Sequence, residues 1–126
     1  MTAQDNAPAR LYTADEFEAL LATPEYADRR LELIDGEMVE KMVTIEHGMI
    51  VLRIGSRILA YLDQHPIGRV GPEIHHRVAD DPHNVRVPDL GLLVNEPNMP
   101  MDATSPRLPD LAVEVKSRAN TLADLQ

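Results

Sequence analysis

The sequence predicts a mixed α/β (α+β) fold, a central mixed β-sheet flanked by helices. Three patterns predict it. An Asp-Gly pair sits between two alternating runs, a long segment repeats apolar residues at helical spacing, and apolar runs late in the chain read as strands. The resulting order is helix, hairpin, helix, two or three strands and a last helix, which suits two element types packed around one core.

Thr13-Ala14-Asp15-Glu16 places a hydroxyl at a helix N-cap and a carboxylate three residues later, the capping box. The helix it opens carries Phe17, Leu20 and Leu21 on its inner side, and Pro24 ends it. Leu31-Glu32-Leu33-Ile34 and Glu37-Met38-Val39-Glu40 flank Asp35-Gly36, the strongest short-range signal for a tight β-hairpin. From about Ile45 to Leu62, one line of apolar residues runs through Ile45, Met49, Leu52 and Leu59. A second runs through Ile50, Ile54, Ile58 and Tyr61, so a helix with a wide buried face is expected. Thr44 stands at its N-cap, and Pro66 and Gly68 follow its end.

Val70 to Val78 reads as a strand, Asp81-Pro82-His83-Asn84 as a turn, and Val85 to Val94 as a long strand. Pro88 inside that strand calls for an edge position or a bulge. Residues 95–109 form a proline-rich loop, Leu111 to Val115 a buried strand, and Ala119 to Gln126 the start of a helix.

The chain has 126 residues, enough for one domain with one modest core. Residues 1–10 are expected to be a flexible N-terminus and residues 11–126 a single domain, incomplete at its C-terminal side. With three Tyr, one Phe and no Trp, the core must be aliphatic, and aromatic platforms for stacking bases are not expected. The absence of cysteine excludes disulfides, thiolate metal sites and a Cys nucleophile, and suits a reducing cytoplasm. The N-terminus lacks the apolar stretch of a signal peptide and no run is long enough to span a bilayer, so a cytoplasmic protein with no membrane partner is expected. The net charge of −9 runs against the basic footprint usual where phosphates are neutralised, and weighs against tight DNA binding by one subunit.

Chemistry is most legible at Glu114. An acid inside an apolar strand costs several kcal/mol if left unpaired, roughly speaking, so something must satisfy it. Lys116 stands two positions on, hence on the same strand face. The pair can form a salt bridge, or hold a cation and position a water. A second acid comes from one of two Pro-Asp pairs, Pro88-Asp89 or Pro109-Asp110. Asp110 would lie ~13 Å from Glu114 along one strand, whereas Asp89 can approach across the sheet from a neighbour about 5 Å away.

Pro88-Asp89 followed by Glu114-Val115-Lys116 matches the PD-(D/E)XK nuclease signature. Read physically, the carboxylates of Asp89 and Glu114 and the carbonyl of Val115 would bind Mg²⁺, or Mn²⁺ in its place, as a hard oxygen-seeking ion. The ion would polarise a phosphoryl oxygen and acidify a water, with Lys116 orienting that water or stabilising developing charge. A structural Glu–Lys ion pair is the competing reading of the same residues.

The wider sequence resembles the bacterial Uma-type family of "putative restriction endonucleases", a branch of the PD-(D/E)XK superfamily. The matching pieces are Tyr12 to Phe17, Leu31 to Glu37, Glu46-His47-Gly48, Asn84-Val85-Arg86-Val87-Pro88-Asp89 and Pro109 to Val115, in the family's order and over nearly the whole chain. The resemblance implies a restriction-endonuclease-like core and Mg²⁺-dependent hydrolysis of phosphodiester bonds in DNA. Asp89 and Glu114 match the family's metal-binding acids and Lys116 the superfamily lysine, a position where many members of the family carry an apolar residue. Glu46 matches the acid that often completes such sites. On a 3.6-residue helix Arg53 and Arg57 each lie within roughly 20° of Glu46, so one stripe could offer an acid to the metal and arginines to phosphate, or be a solvated face.

His47, at the same helix start, is a surface residue or a substrate contact. His75 and His76 are adjacent, point to opposite strand faces, and are expected to face solvent or phosphate. The family usually continues beyond the Glu-x-Lys strand with a full helix and more strands, so this chain is expected to be a fragment or to have its sheet covered by a second subunit in a homodimer. Two functions remain open: a Mg²⁺-dependent DNA endonuclease, and a non-catalytic nuclease-fold module used for assembly or nucleic-acid binding. A carboxylate-pair hydrolase acting on sugars ranks last, for want of an aromatic platform.

Overall fold

The computed structural model describes residues 10–116. Along the chain these form α1 (Ala14–Leu21), β1 (Leu31–Ile34), β2 (Glu37–Glu40), α2 (Ile45–Gln64), β3 (Gly68–Pro72), β4 (His76–Val78), β5 (Asp81–Arg86), β6 (Leu90–Val94) and β7 (Leu111–Val113). The helix expected from Ala119 onward and most of the expected N-terminal extension lie outside the described residues.

The capping box starts α1: Thr13 Oγ1 accepts from the Glu16 amide at 3.2 Å, and the Glu16 carboxylate accepts from the Thr13 amide at 3.0 Å. The hairpin forms in register, Ile34 opposite Glu37, because Asp35 and Gly36 take φ of 50° and 84°, the twist a two-residue turn needs. Gly36 also donates to the carbonyl of His83 at 2.7 Å and accepts from Tyr12 at 2.8 Å, so the turn anchors two other parts of the chain.

The fold is mixed α/β, as expected, but the β-structure is divided. β2-β1-β5-β4 make one sheet and β3-β6-β7 a second, and every ladder between named strands is antiparallel. The division falls inside the two segments expected to be single long strands. Residues 73–75 separate β3 from β4, with Glu73 at φ 52° turning the backbone from the second sheet to the first. Residues 87–89 separate β5 from β6 and carry the chain back. Pro88, which has no amide to give a ladder, sits at that second crossing. The turn expected at residues 81–84 lies earlier, at Ala79-Asp80, with Asp80 at φ 63°. Residues 81–84 belong to β5, where Asn84 is buried and donates to Asp81 and Asp35. β7 ends at Val113, so Glu114 to Lys116 lie beyond the ladder rather than within it.

The principal core lies between α1 and the first sheet: Ala14, Phe17, Leu31, Leu33 and Val85, flanked by Tyr12, Leu21, Tyr26 and Met38. α2 packs toward the second sheet through its narrow side. Gly55 faces Leu90, where an added Cβ would already be in van der Waals contact at 3.6 Å, and Leu62 is buried below it. The wide buried face expected of α2 is therefore not found: Ile45, Met49, Leu52 and Leu59 point outward at 85, 65, 74 and 52 % exposure. His76 is fully buried instead of facing solvent, and its Nδ1 donates to the Arg107 carbonyl at 3.0 Å.

Candidate active site

Asp89 is 2 % exposed, on the second crossing between the sheets. A buried carboxylate is costly unless donors surround it. Asp89 has three. Its Oδ2 accepts from the amide of Val115 at 2.7 Å and from His47 Nε2 at 2.9 Å, and its Oδ1 faces Lys41 Nζ at 3.3 Å.

Each donor arrives on a different element. Val115 follows β7, the strand beside β6, so its amide comes to Asp89, the residue just before β6. His47 sits in the first turn of α2, where Thr44 Oγ1 accepts from its amide at 3.1 Å and fixes the helix start. Lys41 follows β2, with a side chain only 11 % exposed. The crossing itself is clamped at both backbone groups of Val87: its amide donates to Glu32 at 2.8 Å and its carbonyl accepts from Lys41. Lys41 also lies 3.5 Å from Glu73, the residue that turns the first crossing.

Glu114 stands beside this group. Its residue surface is open to solvent, but the carboxyl is hemmed in enough that desolvation pushes its pKa up to about 7. The charge of Lys41 works against that rise, while Asp89 and Glu32 add to it. A buried, donor-ringed aspartate and a glutamate with a raised pKa are thus held together by the fold, and perturbed carboxyls of this kind recur at functional sites.

The expected residues separate into two groups. Asp89, Glu114 and Val115 come together, and His47, expected as a surface residue or a substrate contact, joins them as a buried hydrogen-bond partner at 7 % exposure. Glu46 is exposed, about a quarter turn round α2 from His47, and Arg53 and Arg57 share its exposed side. Lys116 is exposed and makes no hydrogen bond or ion pair among the described residues. Asp110, the other Pro-Asp acid, is occupied elsewhere by the Val94 amide at 2.7 Å and Arg107 at 3.0 Å.

Lys41, Glu32 and Glu73 were not among the residues singled out from the sequence. Glu32 had a readable signal, since it interrupts Leu31-Leu33 as Glu114 interrupts its own apolar run. Lysine occurs at positions 41 and 116 only, against ten arginines among the 12 basic residues, so Lys41 was also distinguishable.

The donor set suits a hard cation. Among the described residues no cluster of three or more His, Asp or Glu is arranged to hold a metal ion. Mg²⁺ needs fewer protein ligands than that, because it keeps waters and takes the remainder from one or two carboxylates and substrate phosphate. Asp89 and Glu114 supply two carboxylates, and the charge of a cation beside Glu114 would offset the desolvation that raises its pKa.

Residues 14–126 match the Uma2 family, described as "Putative restriction endonuclease". The chain belongs to the Uma2 family. Among solved structures it resembles one described as "a putative nuclease belonging to DUF820 from Anabaena variabilis ATCC 29413", with a TM-score of 0.69 at 21 % identity. That likeness covers 90 % of this chain and 63 % of the other, and at this identity it establishes the shared fold. No curated protein matches the chain. The Uma2 match takes in the Asp89 crossing, the start of α2 and the Glu114 segment, so the site lies wholly inside the family region.

Proposed function

We propose that the chain is a Mg²⁺-dependent endonuclease that hydrolyses phosphodiester bonds of DNA at the Asp89–Glu114 site. One observation carries this reading: a fully enclosed aspartate, fixed by three donors, stands beside a glutamate whose pKa is raised to about 7, in a chain of the Uma2 family. Asp89, Glu114 and the Val115 carbonyl are the groups that would hold Mg²⁺ or Mn²⁺. When bound, the ion supplies Lewis acidity toward a phosphoryl oxygen and a more acidic water.

The remaining work belongs to the chain. His47 and the Val115 amide both occupy Oδ2 and hold Asp89 in one orientation, so Oδ1, which faces Lys41, is the oxygen with a site left for a cation. Glu114, whose carboxyl is raised to about 7 without a cation, would give up that proton on taking the ion, so cation binding should release a proton below about pH 7. The exposed Arg53 and Arg57 on α2 offer guanidinium groups to the phosphate backbone, on the same exposed side as Glu46 at the helix start. No described helix is long and apolar enough to cross a membrane, and a chain without cysteine suits the cytoplasm proposed as its compartment.

A second reading, a nuclease fold kept for assembly or nucleic-acid binding without cleavage, draws on the net charge of −9. Supercoiled plasmid decides between them. Wild-type protein should nick it in Mg²⁺ or Mn²⁺ and stop in EDTA, and Asp89→Asn should lose roughly a hundredfold or more in rate. Plasmid shifted in a gel but left intact by wild type and variant alike would favour the second reading.

A further inference from the structure

The nuclease signature places its lysine at Lys116, two residues after Glu114, and the structure leaves that side chain in solvent. The lysine that reaches the carboxylates is Lys41, which enters from the end of β2. Its ammonium has three donors, and three acceptors surround it: the Val87 carbonyl, Asp89 Oδ1 at 3.3 Å and Glu73 Oε2 at 3.5 Å. These acceptors belong to both crossings between the sheets, with Glu73 on the first and Val87 and Asp89 on the second. A side chain spanning both crossings fixes their separation, and with it the position of Asp89.

The residue type fits the task. Arginine serves at ten of the 12 basic positions, yet here the chain uses the compact ammonium, whose three rotatable donors can be shared among three acceptors. A guanidinium can meet as many acceptors, as Arg107 does, but only where they lie near the plane of its rigid fork.

We propose that Lys41, held by Glu73, is the positioning lysine of the Asp89–Glu114 site and takes the place assigned to Lys116 by the motif. The inference rests on the nuclease reading above. It adds that a fixed positive charge shares Asp89 with the cation, and that this charge comes from the hairpin rather than from the Glu-x-Lys segment.

The test compares Lys41→Met, Lys41→Arg and Lys116→Met in two assays, Mn²⁺ titration by calorimetry and plasmid nicking with kcat and KM resolved. Removing a positive charge beside a metal-binding carboxylate should tighten Mn²⁺ binding in Lys41→Met, on the order of tenfold. A residue that only braced the fold would loosen the site and weaken binding when removed. The same variant should lose kcat with KM nearly unchanged, by at least tenfold more than Lys116→Met loses. Lys41→Arg, which keeps the charge, should return Mn²⁺ affinity to the wild-type value and recover only part of kcat.

Should Lys41→Met not fold, Lys41→Arg and Lys116→Met still decide. A Lys116→Met loss equal to or greater than that of Lys41→Arg overturns the inference. So does weaker or unchanged Mn²⁺ binding in a folded Lys41→Met. Wild-type protein that neither binds Mn²⁺ nor nicks DNA overturns the nuclease reading itself, and the inference with it; an active wild type with the two lysines ranked in reverse overturns the inference alone.

Discussion

At the scale of single residues, Glu114 makes the sharpest claim because its environment has a sign. Its pKa is raised from 4.5 to about 7 in the folded protein, chiefly by desolvation. Between those values the folded state binds more protons than the unfolded state, so stability falls as pH rises, and the penalty is complete above about pH 7. Glu114→Gln should therefore raise the urea midpoint at about pH 8 and leave it nearly unchanged at about pH 4, where both states are protonated. A midpoint difference that does not depend on pH would show that the carboxyl is not perturbed. Glu114 was legible in the sequence because an acid in Leu-Ala-Val-Glu-Val needs an explanation, and Asp89 because it is the Pro-Asp acid able to reach it. Their partners were not legible in the same way. His47 and Lys41 meet Asp89 across 42 and 48 residues, and no local pattern records a contact that the crossing alone creates.

Among the elements, the hairpin was read in full and the long strands were not. Asp35-Gly36 dictates a turn through backbone geometry that few other pairs tolerate, so its sequence carries its structure. Gly36→Ala should cost about 1–3 kcal/mol in chemical denaturation, since φ of 84° strains any side chain and the new Cβ would meet Leu11 at 3.0 Å. A cost near zero would contradict the tight packing of that turn. Alternation in Val70 to Val78 and Val85 to Val94 revealed extended chain but not which sheet each half joins, because period-two patterning is the same on either side of a crossing. Pro88 marked the break, and an edge strand or bulge was the local solution it suggested; the structure uses it to change sheets. That change of sheets puts Asp89 in the interior, between the hairpin and α2.

For the molecule as a whole, the outward line of Ile45, Met49, Leu52 and Leu59 is the feature that sequence periodicity assigned to the core and the described fold leaves exposed. Helical spacing identifies apolar faces but not what covers them. We propose a homodimer that covers this line, in keeping with the size of the exposed stripe. Sedimentation equilibrium should then show a dimer for the wild type and a monomer for Leu52→Glu, whereas a monomeric wild type would remove the case for self-association through α2. Whatever its assembly, the proposed function stands on a cation held between Asp89, on the second crossing, and Glu114, just beyond β7. The most direct measurement is calorimetric titration of Mg²⁺ or Mn²⁺ into the wild type and into Glu114→Ala. Saturable binding in the wild type that disappears in the variant is the expected result. No binding, or binding that Glu114→Ala leaves unchanged, would contradict the metal site and make Asp89 and Glu114 structural groups.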